Sequence, residues 1–414
     1  MSNNNFIEDY INSKDKLTNL NSLEIKELIL ELKNYKIKYL EKLNSVPKYF
    51  KFGVEIEFSN SNLESIYNKL TEEGLDCYFI NNYGAHVDNL NNKKWEVKID
   101  TTTTEHVPPR QYVNLFGGEV ASRILTNNKT SFEELNTVCE VIKNNFGTAG
   151  DDCGLHFHVD AKVFKDNTDN YLNFLKYFRL YEQIFYRVGF GEYNYPRSQI
   201  DKYSHTIGND IKYIIDYSKF TKSLSLFKDV LPHNHNAALD FINLYNKYNK
   251  RTVEARYSNG SVDPAIIQTG LNLFLSSVKY SISSKFDVEK CEHIFSQEGF
   301  NNCTYAIDYN YVDINKSFDM FDDLFKTNEE KINTLKQYIK NDTRNSLESD
   351  KKIILFKRKE FNMIKKIYHW YIFCCLVYFY MIQCIYSRVR CSDGICNYRN
   401  DVWKLCDFNI YVYA

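Results

Sequence analysis

Residues 49–59 read YFKFGVEIEFS, and their alternation fixes the first piece of the fold. A period of two marks a strand whose two faces differ. Val54, Ile56 and Phe58 fall on one face, and Glu55 and Glu57 on the other. The apolar face calls for a core. The two carboxylates repel each other and need water, a cation or an arginine beside them. Taken alone, the pair suits a solvated strand face as well as a ligand site, because charged residues are normally exposed.

Four further stretches extend the pattern. KKWEVKID (93–100) reads as a strand ending on Asp100, a residue type that also simply forms turns. GGEVASRIL (117–125) supplies Glu119 at an expected loop-to-strand entry. GLHFHVD (154–160) sets His156 and His158 on one face, with Phe157 and Val159 on the other. Such a pair suits a metal, but also a buried hydrogen-bonded couple. RTVEARYSNG (251–260) groups Thr252, Glu254 and Arg256 on one face, opposite Arg251, Val253 and Ala255. Glu254 and Arg256 fit an ion pair. They equally fit a cation ligand beside a guanidinium that grips phosphate through two parallel hydrogen bonds.

Helices fall between these strands. Apolar spacing predicts one over 21–44 and another over 61–73 that ends at Gly74. A third, over 131–146, opens on a capping box of Ser131 and Glu134. Longer helices are expected over 168–189 and 264–284, and a further strand over 238–246. Long, varied connections favour an α+β fold with an antiparallel sheet over a doubly wound one.

The chain has 414 residues, 43% of them hydrophobic, enough for a sizeable core. Lys and Arg number 52 against 53 Asp and Glu, so no global field draws the chain to nucleic acid. The N-terminus lacks a secretory pattern. The 11 cysteines show no paired spacing, and reduced thiols in a cytoplasmic protein are expected. IYHWYIFCCLVYFYMIQCIY (367–386) lacks Asp, Glu, Lys and Arg. Its length suits either a membrane anchor or a buried helix.

The ordered set FGVEIEF, WEVKID, GGEVASRIL, DDCGLHFHVD and NKRTVEARYSNGS resembles the amidoligases. These are related to glutamine synthetase and glutamate–cysteine ligase among the ATP-dependent carboxylate–amine ligases. The resemblance covers about residues 50–285. It implies a glutamine-synthetase-like bowl of antiparallel sheet with flanking helices, over a catalytic domain at 49–290. Residues 1–48 would form an N-terminal helical extension, 291–360 a polar helical region, and 361–414 a Cys/Tyr-rich tail.

The resemblance also implies the chemistry. Glu55, Glu57, Glu119, His156 and Glu254 would hold Mg²⁺ or Mn²⁺. His158, Arg251 and Arg256 would meet ATP, and Glu55, Glu254 and Arg256 would carry catalysis. A carboxylate on an amino acid, peptide or protein would become an acyl phosphate and then an amide with an amine. Arg197, Asn243 and Asp100 are the candidate substrate contacts, and PHNH (232–235) is either a lid or an exposed turn. The chain departs from the family pattern where Asp100 is followed by four threonines, and at Arg123 and Ala255. Two other readings stay open: a metal-dependent hydrolase built on the two histidines, and a non-catalytic binding protein on the same scaffold.

Overall fold

The computed structural model describes residues 5–80, 93–100, 116–150, 152–198, 200–221, 223–232, 235–244, 251–298 and 312–340. All of these lie within one compact unit, Met1–Thr343. The strands are β1 (Lys51–Asn62), β2 (Cys77–Ile80), β3 (Trp95–Lys98), β4 (Phe116–Ala121), β5 (Leu125–Thr126), β6 (Gly154–Asp160), β7 (Leu239–Asp240) and β8 (Thr252–Asn259). They form one sheet in the order β2-β3-β4-β1-β6-β8-β7, with β5 paired to β1. The strand opened by KFGVEIEF is therefore central.

The helices are α1 (Phe6–Asn12), α2 (Ser22–Leu32), α3 (Leu63–Glu72), α4 (Lys129–Asn144), α5 (Thr168–Gly189) and α6 (Ile200–Tyr203). They continue as α7 (Gly208–Ser218), α8 (Leu224–Lys228), α9 (Pro264–Ser281), α10 (Val288–Glu298), α11 (Ile314–Leu324) and α12 (Asn328–Ile339). The apolar side chains of the strands meet three of them: α3 lies on β1, α9 on β6 and α5 on β8. Val54, Ile56, Phe58, Phe157, Val159 and Val253 are all fully buried there. Each such side chain contributes roughly 1.5–3 kcal/mol by leaving water. That leaves the alternate positions, Glu55, Glu57, His156, His158 and Glu254, on the opposite face.

The fold is α+β as expected, but the sheet is mixed and not purely antiparallel. β2 pairs parallel to β3, while the other ladders are antiparallel. Parallel neighbours need a long connection between them, and fourteen residues separate β2 from β3 in the sequence. CYFI was not recognised as a strand because four residues at a sheet edge give too short a pattern.

Other boundaries moved for identifiable reasons. The helix expected over 21–44 stops at Leu32, because side-chain amides hold the following segment as a strap. Asn127 accepts from Leu43 N–H (2.8 Å) and donates to the Leu43 and Val46 carbonyls, each at 2.7 Å. Gln268 brackets Leu40 in the same way, at 2.7 and 2.6 Å. The cap of α4 is Asn128, and not Ser131. Glu134 instead binds Arg123 at 2.7 and 2.8 Å and the Trp95 indole at 3.0 Å. The strand expected over 238–246 shortens to β7 followed by a 3₁₀ turn at Ile242–Leu244. Within the region expected to be polar and helical, α11 and α12 bury Phe318, Phe321, Leu335 and Tyr338. Arg187 of α5 caps α12 by donating to the Tyr338 carbonyl at 2.6 Å.

Among the described residues, no helix is long and apolar enough to cross a membrane. The segment 367–386 lies outside them, as does His233.

Candidate active site

Strand register alone lines up the polar residues. Lys98 stands opposite Glu119, and Glu119 opposite Glu57. Glu55 faces His156, His158 faces Glu254, and Glu254 faces Asp240. Six strands thus deliver one band of charge across the sheet. Glu119 belongs inside β4, not at the loop entry expected from the glycine pair.

The band closes into tight contacts. His156 Nδ1 lies 3.2 Å from Glu55 Oε2 and 3.6 Å from Glu254 Oε1, and its Nε2 lies 3.5 Å from Glu57 Oε1. His158 Nε2 approaches Glu55 Oε1 at 3.1 Å. Arg256 Nη1 donates to Glu254 Oε1, and the Gly154 N–H donates to Glu57 Oε2. Lys98 Nζ sits 2.9 Å from Glu119 Oε1. The ladder between β6 and β8 is irregular here: Arg256 and Tyr257 stand across from His156 alone. A bulge of this kind bends the strand and re-aims a side chain. Here it leaves Tyr257 in the core, 1% exposed, with Arg256 beside Glu254.

Charges in the band shift one another. Burial disfavours the charged form of Glu55, but His158, Lys98 and hydrogen bonding from both histidines outweigh it and hold its carboxyl well below the usual range. Burial, with repulsion from Glu55, pushes Glu119 well above that range in spite of Lys98. Burial also opposes ionisation of Glu254, yet Arg256 and His158 bring it down. Carboxylates at such close quarters divide into an ionised and a protonated set, and an arriving cation would draw them all towards ionisation.

The donor set fits a hard divalent cation. Glu55, His158 and Glu254 each offer one ligand atom, all within 4.8 Å of one another. His156 Nε2 is buried without a hydrogen-bond partner among the described residues. A mostly oxygen shell suits Mg²⁺ or Mn²⁺ better than zinc. His235, Asp240 and Glu254 form a second group of the same reach. In it, the fully buried Asp240 lies 3.0 Å from His235 Nδ1.

Two cavities flank the band and share Glu55 and Arg256 as walls. The larger, about 740 Å³, is lined by Lys51, Lys98, Arg123, Lys162, Arg251 and Arg256, together with His158, Asn243 and Glu254. That volume falls in the range of small-molecule sites. Arg251 is held by Asp166 at 2.6 Å. The smaller, about 130 Å³, is lined by Glu55, Glu57, Glu119, His156, Asp100, Asp152, Arg197, Tyr203 and Arg256. The candidate substrate residues thus divide: Asn243 lines the large cavity, and Asp100 and Arg197 the small one. Lys98, Asp152 and Asp240 were not singled out from the sequence. Lys98 was accessible to the same alternation rule, sharing the face of Glu96 in WEVKID. Asp240 lies within the strand expected over 238–246, but one acid between Leu239 and Phe241 gives no sign of the partners that strand pairing brings to it.

The central sheet thus carries carboxylates, two histidines and an arginine between a cavity rich in Lys and Arg and one rich in Asp and Glu. The family described as "putative amidoligase enzyme" matches residues 48–278, and the chain belongs to that family. No curated protein matches it. Membership gives a ligase-type activity, on substrates that bear carboxylate and amine groups.

Proposed function

We propose that this protein is an ATP- and Mg²⁺-dependent ligase that joins a carboxylate to an amine through an acyl phosphate. The carrying observation is the convergence of Glu55, His158 and Glu254 with Arg256 at the boundary of two cavities. The large basic cavity suits a nucleoside triphosphate, and the small one, with Arg256 as a shared wall, would take the carboxylate once a cation has neutralised its own carboxylates. Glu-x-Glu on β1, His-x-His on β6 and Glu-x-Arg on β8 in one site support kinship with glutamine synthetase and glutamate–cysteine ligase.

Bringing a carboxylate to a triphosphate puts like charges together, so the barrier is mainly electrostatic. Glu55, His158 and Glu254 would hold a divalent cation, with Glu57, His156 and Glu119 beside it, and it would supply charge neutralisation; this gives His158 a cation role where the resemblance implied a phosphate one. Arg256 lies where a guanidinium reaches both cavities and stabilises charge on the transferring phosphoryl group. Arg251 and Lys162 line the phosphate side. The carboxylate oxygen attacks the γ-phosphorus and ADP leaves. The amine then attacks the acyl carbon, phosphate leaves, and the amine proton passes to solvent.

The test uses the purified chain with ATP, Mg²⁺, a carboxylate panel and hydroxylamine, which traps acyl phosphates whatever the natural amine. Equimolar ADP and hydroxamate are expected. Amide cleavage without ATP, together with stoichiometric tightly held zinc, would replace this reading with a hydrolase.

A further inference from the structure

The loop between α5 and α6 carries a buried guanidinium with little to hold it. Arg197 is 6% exposed. Its Nε has no hydrogen-bond partner among the described residues. Among the described residues, its carboxylate contact is Glu57 Oε2, at 3.9 Å from Nη1, and Nη2 donates to the Arg256 carbonyl at 3.4 Å. Burial pulls its pKa below the ordinary arginine value. A buried charge is normally paired, and a guanidinium is built to bind a carboxylate through two donors. This one lines the 130 Å³ cavity with one long ion pair, to Glu57, and with its Nε lacking a partner among the described residues.

The surroundings are arranged to keep it in place. Asn259, at the end of β8, accepts from the Arg197 N–H at 2.8 Å and donates to the Tyr195 carbonyl at 3.0 Å. Across the cavity, a Cβ on Gly154 would fall 2.4 Å from Arg197 Nη1 and 3.0 Å from His156 Nε2. Glycine at 154 thus leaves the guanidinium its present position, and a side chain there would push it aside. The space equals about four water molecules at ~30 Å³ each, which suits a carboxylate on a short stem.

We infer that Arg197 is the clamp for a free carboxylate on a compact, amino-acid-sized substrate head bound in the small cavity. This rests on the proposed ligase reading and narrows its substrate class. The guanidinium binds the carboxylate through Nε and Nη2, and Glu57 keeps Nη1 turned to the sheet.

Binding tests it directly. Wild type, Arg197→Gln, Arg197→Lys and Gly154→Ala are titrated by calorimetry with L-glutamate, L-aspartate, L-alanine, glycylglycine and acetate. Each variant is also titrated with Mg²⁺ and a non-hydrolysable ATP analogue. At least one amino acid or the dipeptide should bind wild type. Arg197→Gln should lose about 10- to 100-fold in that affinity, the range for a charge-assisted hydrogen bond. Gly154→Ala should lose affinity too, and Arg197→Lys should recover part of it. Nucleotide affinity should stay within about twofold in the Arg197 variants, which also shows that they fold. The inference is overturned if no carboxylate binds wild type, if Arg197→Gln binds it equally well, or if the nucleotide loses affinity instead. Carboxylate binding that depends on Arg197 without any ATP-driven hydroxamate would sink the ligase reading and leave the clamp standing.

Discussion

Arg256→Gln is the sharpest single perturbation of this site, because it moves three quantities in directions that the geometry fixes. The Arg256 and Glu254 side chains are 15% and 4% exposed and bonded to each other. Removing the cation from such a buried pair leaves the anion uncompensated and destabilises by about 3–5 kcal/mol. Here the lower end is expected, since His156 Nδ1 remains 3.6 Å from Glu254. A divalent cation should take over the missing charge, so Mn²⁺ should bind the variant more tightly than wild type. Added Mn²⁺ should also restore stability, by an amount that grows with the logarithm of its excess over the dissociation constant. Turnover should still fall about 10²- to 10³-fold, the loss typical of removing one stabiliser of transition-state charge. Arg256→Lys should recover stability but little turnover, because an ammonium lacks the flat two-pronged donor. Urea unfolding with and without Mn²⁺, Mn²⁺ titration by electron paramagnetic resonance, and ADP release read the three quantities. Weaker Mn²⁺ binding in Arg256→Gln would refute the reasoning, since it would mean that Arg256 does not compete with the cation for Glu254.

The scaffold makes its own predictions. Phe157, fully buried under α9, should cost about 3–5 kcal/mol on replacement by alanine, read from the denaturation midpoint. Asn127→Leu removes three short bonds to the 43–46 strap and strands buried backbone groups at about 1–3 kcal/mol each. Faster proteolysis within residues 33–48 should accompany it. Lys340 is buried, donates to the Gly191 carbonyl at 2.6 Å, and has its pKa pulled down to about 7 by burial. Between that value and the ordinary ~10.4 of lysine, the unfolded chain holds the extra proton. Stability should therefore rise with pH across this window by an amount on the order of a few kcal/mol. Lys340→Met should flatten that slope in unfolding curves measured from pH 7 to 10.

Much of the site could be read from residues alone, and the reason is the period of the strand. In FGVEIEF, GLHFHVD and RTVEARY, alternation assigned Glu55, Glu57, His156, His158, Glu254 and Arg256 to one side, because adjacent residues of a strand must face opposite ways. Where that rule weakens, the reading failed. β2 is four residues long, too short for a period, so the parallel pairing went unseen. The helix expected to reach residue 44 ended early because Asn127 and Gln268, distant in sequence, offered its backbone better partners than another turn of helix.

What the sequence determined by itself is the set of strands, their two-faced chemistry and the family whose order of motifs they share. What only the tertiary structure decided is which charges meet. Register placed Glu119 between Glu57 and Lys98, and the packing around the sheet put the Arg256 guanidinium in the walls of both cavities. A loop some forty residues after GLHFHVD brought Arg197 against Gly154. Those contacts depend on strand pairing and loop closure across long separations, and the pattern of any one segment carries no information about them.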